Sequence, residues 1–384
     1  EKNRETCRRQ LFEMLGLQPM PPRTPLHPVV TGEVEHPEFT VQNIHFQSRP
    51  GIYVTANLYL PRKLSGKAPA ILYVCGHGRV KIDGVSYGNK VHYHHHGCWF
   101  ARSGYVCLTI DSLQLGEIEA THHGTHHLGR WWWNSRGYTP AGVEAWNCIR
   151  ALDYLESRPE VDASRIGVTG RSGGGVYSWW IAALDERIAA AVPVAGMTNM
   201  KNHVVDGCVE GHCDCMFQVN TYRWDFPNIA ALIAPRPLLI ANTDKDRIFP
   251  LDGVVDIYNK TRRIYELLDA GDRIGLTITE GPHKDTQPLR VPAFHWFERH
   301  LKNRNPSATF ALTAEKFFEP GQLKVFKDNE LPTDERNTTI DEDFTPAFSL
   351  PSPPQTPDAW KKLRDRWMNG IRQKCFRGWP GSVE

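Results

Sequence analysis

The chain has 384 residues, 40% of them hydrophobic and 10% aromatic. That suffices for a large core, in one decorated α/β domain or in more than one domain, and it is no small disulfide scaffold. Lys and Arg number 45 against 43 Asp and Glu, a formal net charge of +2, so charge implies no nucleic-acid partner; no apolar run approaches the ~18 residues that would cross a bilayer, so no membrane partner is expected.

In chain order, residues 5–16 read as a short helix with Leu11, Met14 and Leu15 on one side. Phe39 to Leu60 reads as a hairpin turning at Arg49-Pro50-Gly51, with alternation from Ile52 to Leu60. Strands and helices then alternate. Ala70–Val74 and Tyr105–Ile110 are buried-type strands, and His94–His96 begin a helix through Trp99 and Phe100. Thr139 caps a helix to about Glu156, with Pro140 at its first position. The strands Ile166–Thr169, Ala189–Val194, Pro237–Ala241 and Ile274–Thr279 follow, with helices over Val176–Leu184, 252–269 and 290–301. Repeated strand–helix units imply a mostly parallel sheet covered on both faces. Two long polar excursions, 111–138 and 197–226, interrupt the pattern, as loops that build sites do. Residues 303–356 carry Pro, Asp and Glu without periodicity, an extended wrap or a linker. Thr356-Pro357 caps a terminal amphipathic helix with Trp360, Leu363, Trp367 and Ile371 on one face.

Gly170-Arg171-Ser172-Gly173-Gly174 matches G-x-S-x-G between a strand and a helix. A serine on such a sharp turn needs small neighbours, and the helix N-terminus favours developing negative charge. A serine hydroxyl needs a general base. The loop after Pro237–Ala241 offers Asp244 and Asp246; Asp246 is the expected acid and Asp244 a turn residue. The strand Ile274–Thr279 ends in Glu280-Gly281-Pro282-His283, which places His283 as the base in the order Ser, Asp, His. Gly173 supplies one backbone N–H to an oxyanion, and the loop Cys75-Gly76-His77-Gly78-Arg79 is expected to supply the other from Gly78 or Arg79.

On these motifs the sequence resembles the α/β-hydrolases over roughly residues 30–302. Within that superfamily it is similar to acetyl xylan esterases and cephalosporin-deacetylase-like carbohydrate esterases. The resemblance implies an α/β-hydrolase fold, a mostly parallel doubly covered sheet with long inserted loops. It also implies a serine esterase that acts by two-step acyl transfer on a carbohydrate ester, with no cofactor. The organisation expected is a helical arm at 1–38, a catalytic domain at 39–302 with the two excursions, and a tail at 303–384. A secreted or periplasmic location follows from that substrate class. The sequence fixes no oligomeric state.

His77, Arg171, Trp131, His212 and Arg223 are the expected substrate-binding residues. Tryptophan faces stack on sugar rings, and a guanidinium binds a carboxylate bidentately. An arginine contact of that kind would shift the substrate to a uronate ester, although glucuronoyl esterases usually place the arginine directly after the serine, where Gly173 stands here. A peptidase of prolyl-oligopeptidase type shares the triad, but no propeller segment is read before the hydrolase. Histidines crowd between His77 and His127, and Cys208, Cys213 and Cys215 follow. Neither C-x2-C nor H-E-x-x-H spacing is present, so no metal is expected, and a disulfide within 208–215 is an alternative.

Overall fold

The computed structural model describes residues 2–208, 214–304, 314–327, 330–345 and 351–376. β1 (Val29–Glu35), β2 (Phe39–Arg49) and β3 (Ile52–Pro61) form an antiparallel ladder. β4 (Ala68–Val74) is followed by a small separate hairpin, β5 (Lys81–Ile82) and β6 (Val85–Ser86). β7 (Val106–Ile110), β8 (Val161–Arg171), β9 (Ile188–Val194), β10 (Leu238–Thr243) and β11 (Ile274–Thr279) complete the main sheet. Its nine strands run in the order β1-β2-β3-β7-β4-β8-β9-β10-β11. The part from β7 to β11 is parallel, and β3 joins β7 antiparallel.

Two cores sit on the two faces. Successive strand residues point to opposite sides, so Ala70, Leu72 and Val74 of β4 enter one core and Ile71 and Tyr73 enter the other. The first core holds residues of α1 (Lys2–Met14), α5 (Pro140–Ser157), α6 (Gly173–Leu184), α7 (Phe226–Ala231) and α8 (Leu251–Leu267). The second holds α2 (His94–Arg102) and α9 (Gln287–Lys302). Short helices α3 (Gly124–His127) and α4 (Trp132–Ser135) lie in the first excursion, and α10 (Ile340–Asp343) and α11 (Pro357–Gly370) in the tail.

The expected cap of α5 forms: Gly142 N donates to Thr139 Oγ1 at 3.0 Å, and Thr139 Oγ1 donates to Leu15 O at 2.9 Å. The chain after α1 comes so close that a Cβ on Gly142 would stand 2.0 Å from Leu15 O. Leu11, Met14 and Leu15 are buried there as expected.

The arm at 1–38 is not only helical. Residues 29–35 pair with β2, so the sheet begins before Phe39. The tail contributes to the core as well. Leu323, Val325, Phe326, Ile340 and Phe344 are buried, and Asn337 bonds both Tyr53 N and Tyr53 O at 2.8 Å. On α11, Trp360 and Trp367 remain 49% and 46% exposed. Among the described residues no disulfide forms; Cys213 lies outside them.

Glu144 of α5 is fully buried, with Oε2 accepting from Leu113 N at 2.7 Å and Oε1 without a partner. Burial pushes this carboxyl up from 4.5 to about 8; the Leu113 amide pulls it down and the charge of Asp111 adds to the rise. The folded chain therefore keeps a proton that the unfolded chain releases. Stability from this site is fully present below 4.5 and is lost as pH rises through about 8. Glu144→Gln is expected to melt above the parent at about pH 9, with the gain vanishing toward about pH 5. A variant that melts lower at both ends would contradict the protonated assignment.

Candidate active site

Ser172 stands between the end of β8 and the start of α6 with φ 59° and ψ −123°. A non-glycine residue at positive φ is strained and persists only where its surroundings hold it. Two bonds do so here: Ser172 N donates to Val194 O, and Val176 N to Ser172 O, both at 3.0 Å. The flanking glycines are obligatory because β4 passes directly beneath. A Cβ on Gly170 or Gly174 would lie 2.2 or 2.0 Å from Val74 O.

His283 Nε2 lies 3.0 Å from Ser172 Oγ, and its Nδ1 lies 2.6 Å from Asp246 Oδ2. Asp246 is buried, and its Oδ1 accepts from Ile248 N at 2.9 Å and Phe249 N at 3.0 Å. These two amides orient the carboxylate toward the imidazole. Asp244 does the turn work expected of it: its Oδ1 accepts from Gly281 N at 2.8 Å. Lys245 N donates to Gly281 O and Thr243 Oγ1 to Pro282 O, so the loop after β10 staples the loop that carries His283.

A second clamp was not legible in the sequence. Asp285 Oδ2 lies 3.1 Å from His95 Nε2 and 3.0 Å from His96 Nε2, and Oδ1 accepts from Arg290 Nε at 2.8 Å. Burial alone would raise the Asp285 carboxyl, but His96, His95 and Arg290 overcome it and hold it far below the usual carboxylate range. Burial, reinforced by the charge of His96, lowers His95 to about 3 against the pull of Asp285. The His283 loop is thus pinned on both sides of His283.

The loop after β4 is tied back by its carbonyls. Ser112 Oγ donates to Cys75 O, and Asn89 Nδ2 to Gly76 O at 2.6 Å. Gly173 is the first residue of α6, so its N–H has no partner within the helix. His77 lies against this backbone: a Cβ on Gly173 would be 2.5 Å from His77 Nε2. Gly78 packs on the His92 ring, and Arg79 is exposed.

The remaining expected residues divide. Arg171 points to the α2 side of the elbow, beside Tyr93, Tyr73 and His92. Trp131 is 44% exposed and meets the Phe217 ring edge-on at 5.8 Å. Its neighbours turn inward: Trp133 is buried, and Trp132 Nε1 donates to Asp341 Oδ2. Arg223 is exposed in a turn closed by Asn220 and Trp224, and no described contact joins it to Ser172. His212 lies outside the described residues.

A match to the prolyl oligopeptidase family spans residues 92–262. YtaP of Bacillus subtilis (strain 168), known by name only as a hydrolase, is 26% identical over 307 residues, 77% of this chain and 98% of that protein. The solved structure named Methylesterase BT1017 aligns with a TM-score of 0.67 and 23% identity over 94% of this chain and 76% of its own. The chain has the α/β-hydrolase fold. By sequence it is also similar to a 4-O-methyl-glucuronoyl methylesterase of Phanerochaete carnosa (strain HHB-10118-sp), 24% identical over 243 residues, 56% of this chain and 59% of that protein.

Gly174→Ala is expected to cost about 1–3 kcal/mol, because the new methyl meets a backbone carbonyl that has nowhere to move. Gly137→Ala, with open space around its Cβ position but a φ of 85°, serves as the comparison for backbone strain alone. Equilibrium urea unfolding measures both; equal losses would contradict the steric account of the elbow.

Proposed function

We propose that the chain is a serine carboxylic-ester hydrolase acting on carbohydrate esters, with Ser172 as nucleophile, His283 as general base and Asp246 as its orienting acid. The observation that carries this reading is the continuous hydrogen-bond chain from Ser172 Oγ through His283 to Asp246, at 3.0 and 2.6 Å. A carboxylate only accepts, so the Asp246 contact leaves the His283 Nδ1 proton in place and Nε2 open to take the serine proton.

Ser172 Oγ attacks the ester carbonyl as its proton passes to His283 Nε2. The oxyanion is received by Gly173 N–H and by an N–H of the Gly78–Arg79 segment, on a loop whose carbonyls are already engaged behind it. His283 then gives its proton to the leaving alcohol. Water, deprotonated by the same imidazole, cleaves the acyl-enzyme and frees Ser172.

Two acyl chemistries fit this site. The Gly76-His77-Gly78 loop and the acid and base loops support removal of acetyl groups from plant or algal polysaccharide. The methylesterase and glucuronoyl methylesterase relatives support the second, cleavage of a uronate ester. Acetylated xylan read as acetate, and methyl glucuronate read as free uronic acid, separate them when run in parallel. Acetate alone supports the first and uronic acid alone the second. Release of p-nitroaniline from a prolyl anilide with neither product would move the assignment to a peptidase.

Ser172→Ala is expected to abolish hydrolysis of p-nitrophenyl acetate; retained turnover would sink the nucleophile assignment. Asp246→Asn is expected to lower kcat by roughly 10⁴-fold, through loss of the correct tautomer. Asp244→Asn leaves the Asp246–His283 contact intact and is expected to stay within about tenfold of the parent.

A further inference from the structure

Two clusters of three potential ligand groups occur among the described residues, His95-His96-Asp285 and His77-His122-His123. The first is already satisfied: the histidines share Asp285 Oδ2, and the Arg290 cation occupies Oδ1. The second lies closer to the surface. His77, His122 and His123 are each partly exposed, and one ring nitrogen from each lies within 4.8 Å of the others. Their rings pack with centroids 4.5 Å apart for His77 and His122, 5.5 Å for His77 and His123, and 4.3 Å for His122 and His123.

Successive side chains of an extended segment point to opposite sides. His122 and His123 face the same partner because His123 adopts φ 59° and ψ 19°, a left-handed conformation rare outside glycine. The strain brings two imidazoles to one ring on a separate loop. The nearby guanidinium of Arg130, packed against Gly124, is spent on Asp341. A zinc ion 2.0–2.1 Å from each nitrogen would set the nitrogens about 3.4 Å apart. Small rotations of three partly exposed rings close that distance.

We propose that His77, His122 and His123 form a transition-metal site beside the nucleophile, taking zinc or an ion of similar preference for neutral imidazole. The set has no oxygen ligand, which excludes calcium and magnesium. Three protein nitrogens leave the fourth tetrahedral position open. His77 Nε2 lies against Gly173, the residue after Ser172, and the open position takes water or an oxygen of a bound ester. The coordination stands on its own residues, and its test reads binding rather than turnover.

The full chain, stripped with chelator, is titrated with cobalt(II) and followed by visible absorption, then with zinc as competitor. The expected result is one equivalent of cobalt with the intense bands of a tetrahedral ion, displaced by zinc and unaffected by magnesium. His122→Gln and His123→Gln are each expected to weaken binding by at least about tenfold, with melting temperature unchanged. Cys208→Ala controls for thiolate ligands and is expected to bind like the parent. Weak octahedral spectra from the unaltered chain would overturn the site without any variant. So would binding that survives both histidine changes, or that disappears with Cys208.

Discussion

A lysine with no access to water holds together the loops on one side of Ser172. Lys90 is fully buried, and its ammonium contacts Asp111 Oδ2 at 2.9 Å, Glu117 Oε1 at 2.6 Å and Tyr87 O at 3.1 Å. Burial alone would strip its proton, but Asp111 and Glu117 raise its pKa above the ordinary value. Removing the lysine would leave two buried carboxylates without their cation, a cost of about 3–5 kcal/mol. Each partner also grips another element. Asp111 accepts from Thr55 of β3 and from Lys90 N, and Glu117 accepts from Val325 N and Phe326 N in the tail. Asn89, one residue earlier, donates to Gly76 O and accepts from Ser112 N. The loop carrying His77 and Gly78 is therefore set by an ion cluster that never touches the site.

The opposite wall is set by a different device. His283 sits on a loop bonded to the β10 turn through Gly281 and Pro282 and anchored through Asp285 to α2 and α9. Ser172 is carried between them on an elbow that β4 leaves room for only as glycine. Strain at Ser172 and desolvation around Lys90 are local costs borne by a large, doubly covered sheet, and they fix Ser172, His283 and the loop after β4 relative to one another.

What the sequence disclosed follows from the range of each constraint. An elbow demands small residues at fixed offsets from its serine, and the acid and base follow their strands in a set order, so Ser172, Asp246 and His283 are legible from local pattern. β1 escaped because Val29–Glu35 mixes polar and apolar residues on a half-exposed edge. The three tryptophans at 131–133 read as one feature, yet the helical turn of α4 sends one to solvent, one to Asp341 and one into the core. Asp285 with His95 and His96, and His77 with His122 and His123, join segments far apart in the chain, and no spacing rule reaches across such gaps. Arg223 is exposed in its turn, and no local pattern relates that turn to the serine elbow.

The buried ion cluster also depends on residues made late in synthesis. Glu117 reaches its full set of partners only when the amides of Val325 and Phe326 arrive, and Ile340 and Phe344 close the first core later still. Domains emerge from the ribosome N-terminus first. For most of translation, then, Glu117 has Lys90 but not the two tail amides that complete its partners.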